Sequence, residues 1–127
     1  MEGGTKKYLD LRDLEVYRLA RKHSALGWRV YSVFNWHLKK IIGDQMITSI
    51  DSVGANIAEG YGRFHYLDKN KFYYNARGSL LEAQHWLGVM LERKLITDNF
   101  FKQCKEVSSQ LLIKLNTLIK VQYNKKV

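Results

Sequence analysis

Apolar residues recur at steps of three and four along several stretches of the chain. This spacing places apolar side chains on one side of an α-helix and predicts an amphipathic helix. The apolar stripes consist of Val16, Leu19, Ala20, His23, Gly27, Val30 and Phe34; Met46, Ile50, Val53, Ile57 and Tyr61; Phe72, Ala76, Ser79, Ala83, Trp86, Leu87 and Met90; and Cys104, Val107, Leu111, Leu115, Leu118 and Ile119. The predicted helices cover about residues 12–35, 40–62, 68–93 and 98–122.

The segments between these helices are short, and the chain contains no proline. Helices joined by short connections pack antiparallel to their neighbours. The pattern therefore predicts an all-α protein, an antiparallel up-down-up-down four-helix bundle, with residues 1–127 as a single domain. We expect Asp68 and Asp98 to cap the third and fourth helices, because an Asp side chain accepts hydrogen bonds from the first turn. The tail from Lys120 is expected to fray.

The surplus of basic over acidic residues indicates which kind of binding partner to expect. Lys and Arg number 21 against 12 Asp and Glu, which gives a formal net charge of +9. Such a surplus indicates a polyanionic partner, nucleic acid first and an anionic membrane second, although a merely solvated basic surface remains open. We find no signal-peptide pattern and no apolar run long enough to span a bilayer, so we expect a cytoplasmic protein without a membrane partner.

The segment SVGANIAEGYGR, residues 52–63, mixes glycines with polar residues. Its glycine spacing does not fit a Walker phosphate loop, and no strand precedes it as a dinucleotide-binding loop requires. We interpret it as part of a helix. Gly54 is expected to permit close approach of a neighbouring helix, whereas Gly60 and Gly62 are expected to mark the helix end.

Polar residues of this segment form a stripe beside the core. Glu59 is the only acid on the stripe, whereas a paired-carboxylate hydrolase needs two. We therefore predict a structural polar network of Asn56, Glu59 and Arg63, with Arg77 from the third helix, and keep an enzyme using Glu59 and Arg63 as the least favoured alternative. A phosphate remains the other candidate partner of Arg77.

The remaining candidates for chemistry are few. No two histidines have the spacing of a metal-binding pair on one helix. His23 and the single cysteine, Cys104, lie on core stripes, and we expect His23 to have its hydrogen bonds satisfied. We predict no catalytic residue, no metal and no cofactor.

Basic side chains line the outer sides of the first and fourth predicted helices. Rows of cations along a helix suit contact with a phosphate backbone. Tyr17 and Trp28 beside the first row are candidates for stacking on exposed bases. The predicted nucleic-acid-binding residues are Arg18, Arg21, Lys22, Arg29, Lys102, Lys105 and Lys120.

Apolar side chains also point outward from the third predicted helix and from the shoulder of the first. Monomers rarely expose this much contiguous apolar surface, so the pattern predicts self-association. A ring would gather the positive charge of every subunit around one axis. The predicted oligomer interface consists of Trp28, Tyr31, Tyr74 and Leu81, with Gly78 and Gly88 beside them.

The block SVGANIAEGYGR, preceded by DQMITSID and followed by FYYNARGSLLEAQHWL, resembles a bacterial four-helix bundle family. That family includes proteins encoded in intervening sequences of large-subunit ribosomal RNA and the accessory variability determinants of diversity-generating retroelements. The resemblance implies an antiparallel four-helix bundle, a pentameric ring and no known enzymatic activity. In the retroelement branch it implies binding to nucleic acid and to a reverse transcriptase, and the motif does not separate the branches.

We therefore expect a non-enzymatic basic protein that binds RNA or DNA as a homo-oligomer, with a pentamer and a reverse transcriptase partner implied by the resemblance. The alternative is a protein-interaction scaffold that does not contact nucleic acid directly.

Overall fold

The computed structural model describes residues 10–125, and within them it is helical apart from short connections. The α-helices, in chain order, are α1 (Glu15–Tyr31), α2 (Trp36–Leu38), α3 (Asp44–Tyr61), α4 (Tyr66–Glu92) and α5 (Asp98–Asn124). A 3₁₀ turn, Leu11–Asp13, precedes α1. No strand is formed in the described part of the chain, so the all-α prediction is confirmed.

The long helices pack as an antiparallel bundle. Helix α1 packs against α3 and α5, and α4 packs against the same two helices, so α1 and α4 lie diagonally opposite. Glu15 at the start of α1 pairs with Lys114 in the second half of α5, whereas Arg29 near the end of α1 lies over the ring of Phe100 at the start of α5. These contacts give neighbouring helices opposite directions, as the predicted bundle requires.

The second predicted helix begins earlier than its apolar stripe indicated. The side chain of Asn35 accepts a hydrogen bond of 2.9 Å from the Leu38 amide and caps the single turn α2. A π-helical segment, Lys39–Gly43, then leads without a break into α3. The apolar stripe gave no sign of the π segment, because the stripe begins at Met46, after the segment has ended.

The predicted helix caps are wrong by a few residues. The His65 side chain accepts from the Leu67 amide at 3.3 Å, and the Thr97 hydroxyl accepts from the Phe100 amide at 3.1 Å. Asp68 and Asp98 instead lie inside the first turns of α4 and α5. A carboxylate in a first turn is favoured by the helix dipole, so its presence does not identify the cap.

The expected fraying from Lys120 is also wrong for the described residues. Helix α5 continues to Asn124, and Gln122 in its last turn is buried. Part of the expected tail, residues 126–127, lies outside the described residues. Along residues 10–125, no helix combines the length and apolarity that crossing a bilayer requires.

The close approach in α3 occurs at Gly60, not at Gly54. A Cβ built on Gly60 would lie 2.6 Å from Cε1 of Tyr73 and 3.0 Å from the backbone oxygen of Lys69. A Cβ on Gly54 would meet its nearest neighbour, the Ala20 Cβ, at an ordinary 3.7 Å. Gly62 forms the C-cap, as expected of a helix end. The glycine-containing segment is therefore a packed helix, and Gly60 is the residue that lets α4 come near.

The apolar core consists of two clusters that follow one another along the bundle. One surrounds Ile50 and Leu87, and the other surrounds Ile57 and Leu115. His23 lies on α1 between residues of the two clusters and is fully buried. The prediction that its hydrogen bonds are satisfied is wrong, because neither ring nitrogen has a protein partner within residues 10–125. Burial lowers the pKa of His23 from 6.5 to about 4.

Candidate nucleic-acid interface

The cations of α1 are held by contacts that leave their charges exposed. Arg18 donates to the backbone oxygen of Arg12 at 3.2 Å, and Arg21 donates to the hydroxyl of Tyr17 at 2.8 Å. The guanidinium of Arg29 lies 5.9 Å from the centroid of the Phe100 ring of α5. These contacts orient the guanidinium groups without neutralising them, so each retains donors for a phosphate.

The lysines of α5 lie on the adjoining side of the bundle. Lys102, Lys105 and Lys120 are all exposed, and Lys105 also borders a small crevice between α4 and α5. Lys114, which the sequence analysis did not select, is paired with Glu15 at 3.2 Å and ties α5 to α1. Helices α1 and α5 are neighbours in the bundle, but Arg21 lies on the α3 side of α1 and Lys105 lies on the α4 side of α5.

The predicted binding cations share one property. Among residues 10–125, none of them forms an ion pair with an Asp or Glu side chain; the ion pairs there are Arg12–Asp10, Lys40–Asp44, Arg63–Glu59 and Lys114–Glu15. A cation without an acidic partner keeps its attraction for an external anion. Apart from Lys114, which pairs with Glu15, the cations of α1 and α5 are thus uncompensated among the described residues.

Charge is distributed unequally over the bundle. Helix α1 has Glu15 as its only acid against four cations, and α5 has Asp98 and Glu106 against four lysines. Helix α3 has the opposite sign, with Asp44, Asp51 and Glu59 and no Lys or Arg. The lysine and arginine content of α4 is balanced by its acids. A polyanion would therefore meet an attractive surface on α1 and α5.

The predicted polar network is not a single network. Glu59 pairs with Arg63 at 2.7 Å across one helical turn, and both side chains are largely exposed. Arg77 donates to Asn116 of α5 at 2.9 Å, so it does not meet Glu59. The prediction joined these residues because a helical wheel gives the direction of a side chain but not its partner across the bundle.

A smaller set of polar contacts does link two helices at this level. The amide of Asn56 donates to the backbone oxygen and to the hydroxyl of Ser52, at 2.9 and 3.0 Å. The Ser79 hydroxyl of α4 donates to that same Ser52 hydroxyl at 3.1 Å. These half-buried bonds fix α3 against α4 and carry no acid or nucleophile arranged for catalysis.

The described residues contain neither a candidate metal site nor a cysteine placed to react. Within residues 10–125 no group of three His, Cys, Asp or Glu side chains is arranged to hold a metal ion. Cys104 is buried, as its stripe predicted, and burial raises the pKa of its thiol to about 11. Because the thiolate is the reactive form, this cysteine is a packing residue.

The residues predicted for an oligomer interface fall on different sides of the bundle. Trp28 on α1 is 58% exposed and Leu81 on α4 is 49% exposed. Tyr31 is half-buried, and its hydroxyl donates to Asp44 at 2.7 Å. Tyr74 is held by a contact with Arg77 of its own helix. Of the four predicted interface residues, Trp28 and Leu81 therefore expose a large apolar surface that is not tied up in a polar contact.

A groove beside Trp28 separates α1 from α3 and has a volume of about 480 Å³. Tyr17, Arg21 and Trp28 line its α1 side, and Asp51 and Ala55 lie on its α3 side. On the opposite side of the bundle, Gly78 of α4 has open space around the position of a Cβ. The bundle thus carries a concave patch on one side and a protruding leucine on the other.

The fold and this charged exterior define a helical-bundle protein with a basic surface. Residues 12–117 match the model of the 23S rRNA-intervening sequence protein family, and the chain belongs to that family. This confirms the family resemblance and shows no function, binding partner or assembly. A search of curated proteins gave no match.

A solved structure with a similar fold comes from Bacteroides thetaiotaomicron and is described as a protein with unknown function from the S23 ribosomal protein family. It is 20% identical to this chain, with a TM-score of 0.74, and the match covers 83% of this chain and 98% of that one. At this identity the similarity shows the fold alone.

Proposed function

We propose that this protein is a non-enzymatic nucleic-acid-binding protein that works as a homo-oligomer. The observation that carries the proposal is that the selected cations of α1 and α5 are exposed and form no ion pair with an Asp or Glu side chain among residues 10–125. Phosphates that bind there release condensed counterions, which drives association. Because the contacts are to the backbone, sequence preference is weak.

Charge reversal tests the proposal. We expect Arg18→Glu, Lys22→Glu and Arg29→Glu together to abolish binding of labelled RNA and DNA oligonucleotides in a fluorescence anisotropy titration. All three side chains are exposed, and the contact of Arg29 with the Phe100 ring lies at the edge of the core, so the circular dichroism spectrum should stay that of the bundle.

A matched control reverses the same number of charges elsewhere. Lys71, Arg93 and Lys94 are exposed and lie outside α1 and α5. Their replacement by Glu lowers the net charge equally but leaves the proposed surface intact, so binding should weaken far less. Equal losses in the two triple variants would show that only net charge matters. Binding that survives the α1 reversal and a reversal of the α5 lysines would refute the proposal.

The oligomer is supported by the position of its two apolar patches. Trp28 and its groove lie on α1, Leu81 lies on α4, and these helices are diagonally opposite. A contact between unlike patches of successive copies is head-to-tail, and such contacts close into rings when the rotation permits. The number five rests on the family resemblance alone.

Solution mass measurement tests the ring. We expect Leu81→Lys to convert the oligomer into monomer, because a charge would enter the apolar contact. Ile113→Lys is the matched control, since Ile113 is also an exposed aliphatic residue but lies outside both patches. An unchanged mass for Leu81→Lys would rule out this interface.

The absence of an enzymatic role is part of the proposal. An exposed ion pair across one helical turn contributes only about 0.3–0.5 kcal/mol, and Glu59 and Arg63 form a pair of that kind. Glu59→Gln should therefore leave both fold and nucleic-acid affinity nearly unchanged.

A protein-interaction scaffold is the second candidate. Val33 and Trp36, around the start of α2, are 78% and 67% exposed, and such apolar groups suit contact with another protein. The family resemblance makes a reverse transcriptase the first partner to test. Affinity capture with and without nuclease separates the candidates: a partner retained after nuclease treatment favours the scaffold, and a partner lost favours a nucleic-acid bridge.

A further inference from the structure

Aromatic rings form a continuous chain across the seam between α4 and α5. The rings of His65 and Tyr66 stack with centroids 5.0 Å apart and planes at 25°. Tyr66 meets Tyr123 of α5 edge to face at 6.3 Å. The Tyr123 hydroxyl donates to that of Tyr74 at 3.4 Å. We call His65, Tyr66, Tyr123 and Tyr74 the aromatic ladder.

The ladder lies on the surface of the bundle. His65 is exposed, and Tyr74 and Tyr123 are each 40% exposed. Contacts among the rings order them, while part of each ring remains open to solvent. Tyrosines that are prearranged lose little conformational freedom when a flat ligand stacks on them.

Cations border the ladder. The Arg77 guanidinium lies 4.8 Å from the centroid of the Tyr74 ring and is held there by its bond to Asn116. Lys120 near the end of α5 and Lys125, the residue that follows the helix, are both exposed. Burial, and then the charge of Lys125, lowers the pKa of Lys69, so positive charges crowd this end of the bundle. These positive charges would repel the same charges on a second copy of the chain. They would attract the phosphates of a nucleic acid.

We propose that the aromatic ladder is a stacking platform for unpaired nucleotides, so that the protein prefers single-stranded RNA or DNA to a duplex. This inference rests on the proposed nucleic-acid binding and adds the substrate class. Bases stack on aromatic side chains irrespective of sequence, and adjacent cations hold the phosphates. Paired bases in a duplex are stacked on one another and do not reach the ladder.

The stacking platform gives a role to aromatic residues that take no part in the proposed phosphate contacts. Tyr66 and Tyr123 are far apart in sequence and meet across the seam between α4 and α5. A salt-sensitive surface on α1 and α5 would bind single strands and duplexes through the same phosphates. The ladder adds a contribution that depends on the bases.

Four labelled probes of equal length separate these contributions: an oligouridylate, an oligothymidylate, an abasic DNA strand and a DNA duplex. The wild-type protein should bind both base-bearing single strands more tightly than the abasic strand. Tyr123→Leu should reduce affinity for the single strands roughly tenfold and leave the duplex and abasic strand unchanged. Tyr123→Phe keeps the ring and should retain wild-type affinity. If Tyr123→Leu weakens binding of the oligouridylate but not of the oligothymidylate, the platform is restricted to RNA.

His65→Asn provides a second variant, because asparagine can still cap α4 but has no ring. We expect it to weaken single-strand binding in the same direction. Equal affinities for abasic and base-bearing strands would overturn the ladder while leaving the proposed function intact. No salt-sensitive binding to any probe would overturn both.

Photocrosslinking gives a readout that does not depend on a variant folding. An oligouridylate carrying 5-iodouridine should crosslink to peptides that contain Tyr66 or Tyr123. Crosslinks confined to α1 would refute the platform. A change of solution mass in Tyr123→Leu, with single-strand affinity unchanged, would instead assign the ladder to contacts between copies.

Discussion

His23 offers a quantitative test of the packing inside the bundle. Its imidazole is fully buried, neither nitrogen has a protein hydrogen-bond partner, and burial lowers its pKa from 6.5 to about 4. Between these two pH values the unfolded chain binds a proton at His23 that the folded protein does not. The free energy of unfolding therefore falls as the pH is lowered through this range.

The size of the effect follows from the pKa. One pKa unit corresponds to about 1.4 kcal/mol, so His23 should reduce the free energy of unfolding by about 3 kcal/mol between pH 7 and pH 4. In His23→Leu this contribution is absent, and an apolar side chain of similar size fills the site. The variant should also be more stable at pH 7, because it leaves no buried polar atom unpaired.

Urea unfolding followed by circular dichroism, at fixed protein concentration and at several pH values from 7.5 to 4, measures the difference between the two proteins. We expect the advantage of His23→Leu to grow as the pH falls. Replacing the exposed His37 by glutamine is the matched control, because it removes a histidine without touching the core. A stability difference that stays constant across this range would refute the reasoning.

Two further predictions concern backbone geometry and capping. Gly60→Ala should lower the free energy of unfolding by about 1–3 kcal/mol, because its Cβ would lie 2.6 Å from the buried Tyr73 ring. Gly54→Ala should raise the free energy of unfolding by up to about 1 kcal/mol, because the new methyl group meets only ordinary contacts. Similar effects of both substitutions in urea unfolding would contradict the assignment of the close contact to Gly60. Thr97→Ala should cost about 1 kcal/mol by removing the cap of α5, and an unchanged midpoint would show that the cap contributes nothing.

The sequence predicted the class of fold because apolar spacing reports directly which side of a helix is buried. Val53, Ile57, Leu111 and Leu115 lie in the core as their stripes required. The same spacing gives no information on close approach between helices. Gly60 was assigned to a helix end because its contact with Tyr73 depends on how α3 and α4 pack.

The candidate surfaces were predicted less completely. Cations can be placed on the outside of a helix from the sequence, but whether an acid neutralises them depends on neighbours such as Glu15 and Lys114. The aromatic ladder joins Tyr66 to Tyr123 across two helices, and no local pattern indicates that contact. Partners across the bundle are set by the relative rotation of helices, which helical periodicity leaves undetermined.

The dependence of nucleic-acid affinity on salt concentration tests the central claim most directly. A plot of log affinity against log salt concentration for a single-stranded oligonucleotide should fall steeply for the wild-type protein, since each neutralised phosphate contributes about 0.7 to the slope. Replacing Arg18, Lys22 and Arg29 by alanine removes three phosphate contacts without adding repulsion, so the slope should become shallower by about 2. An affinity that is independent of salt, or a slope unchanged by these alanine replacements, would contradict binding through the cations of α1.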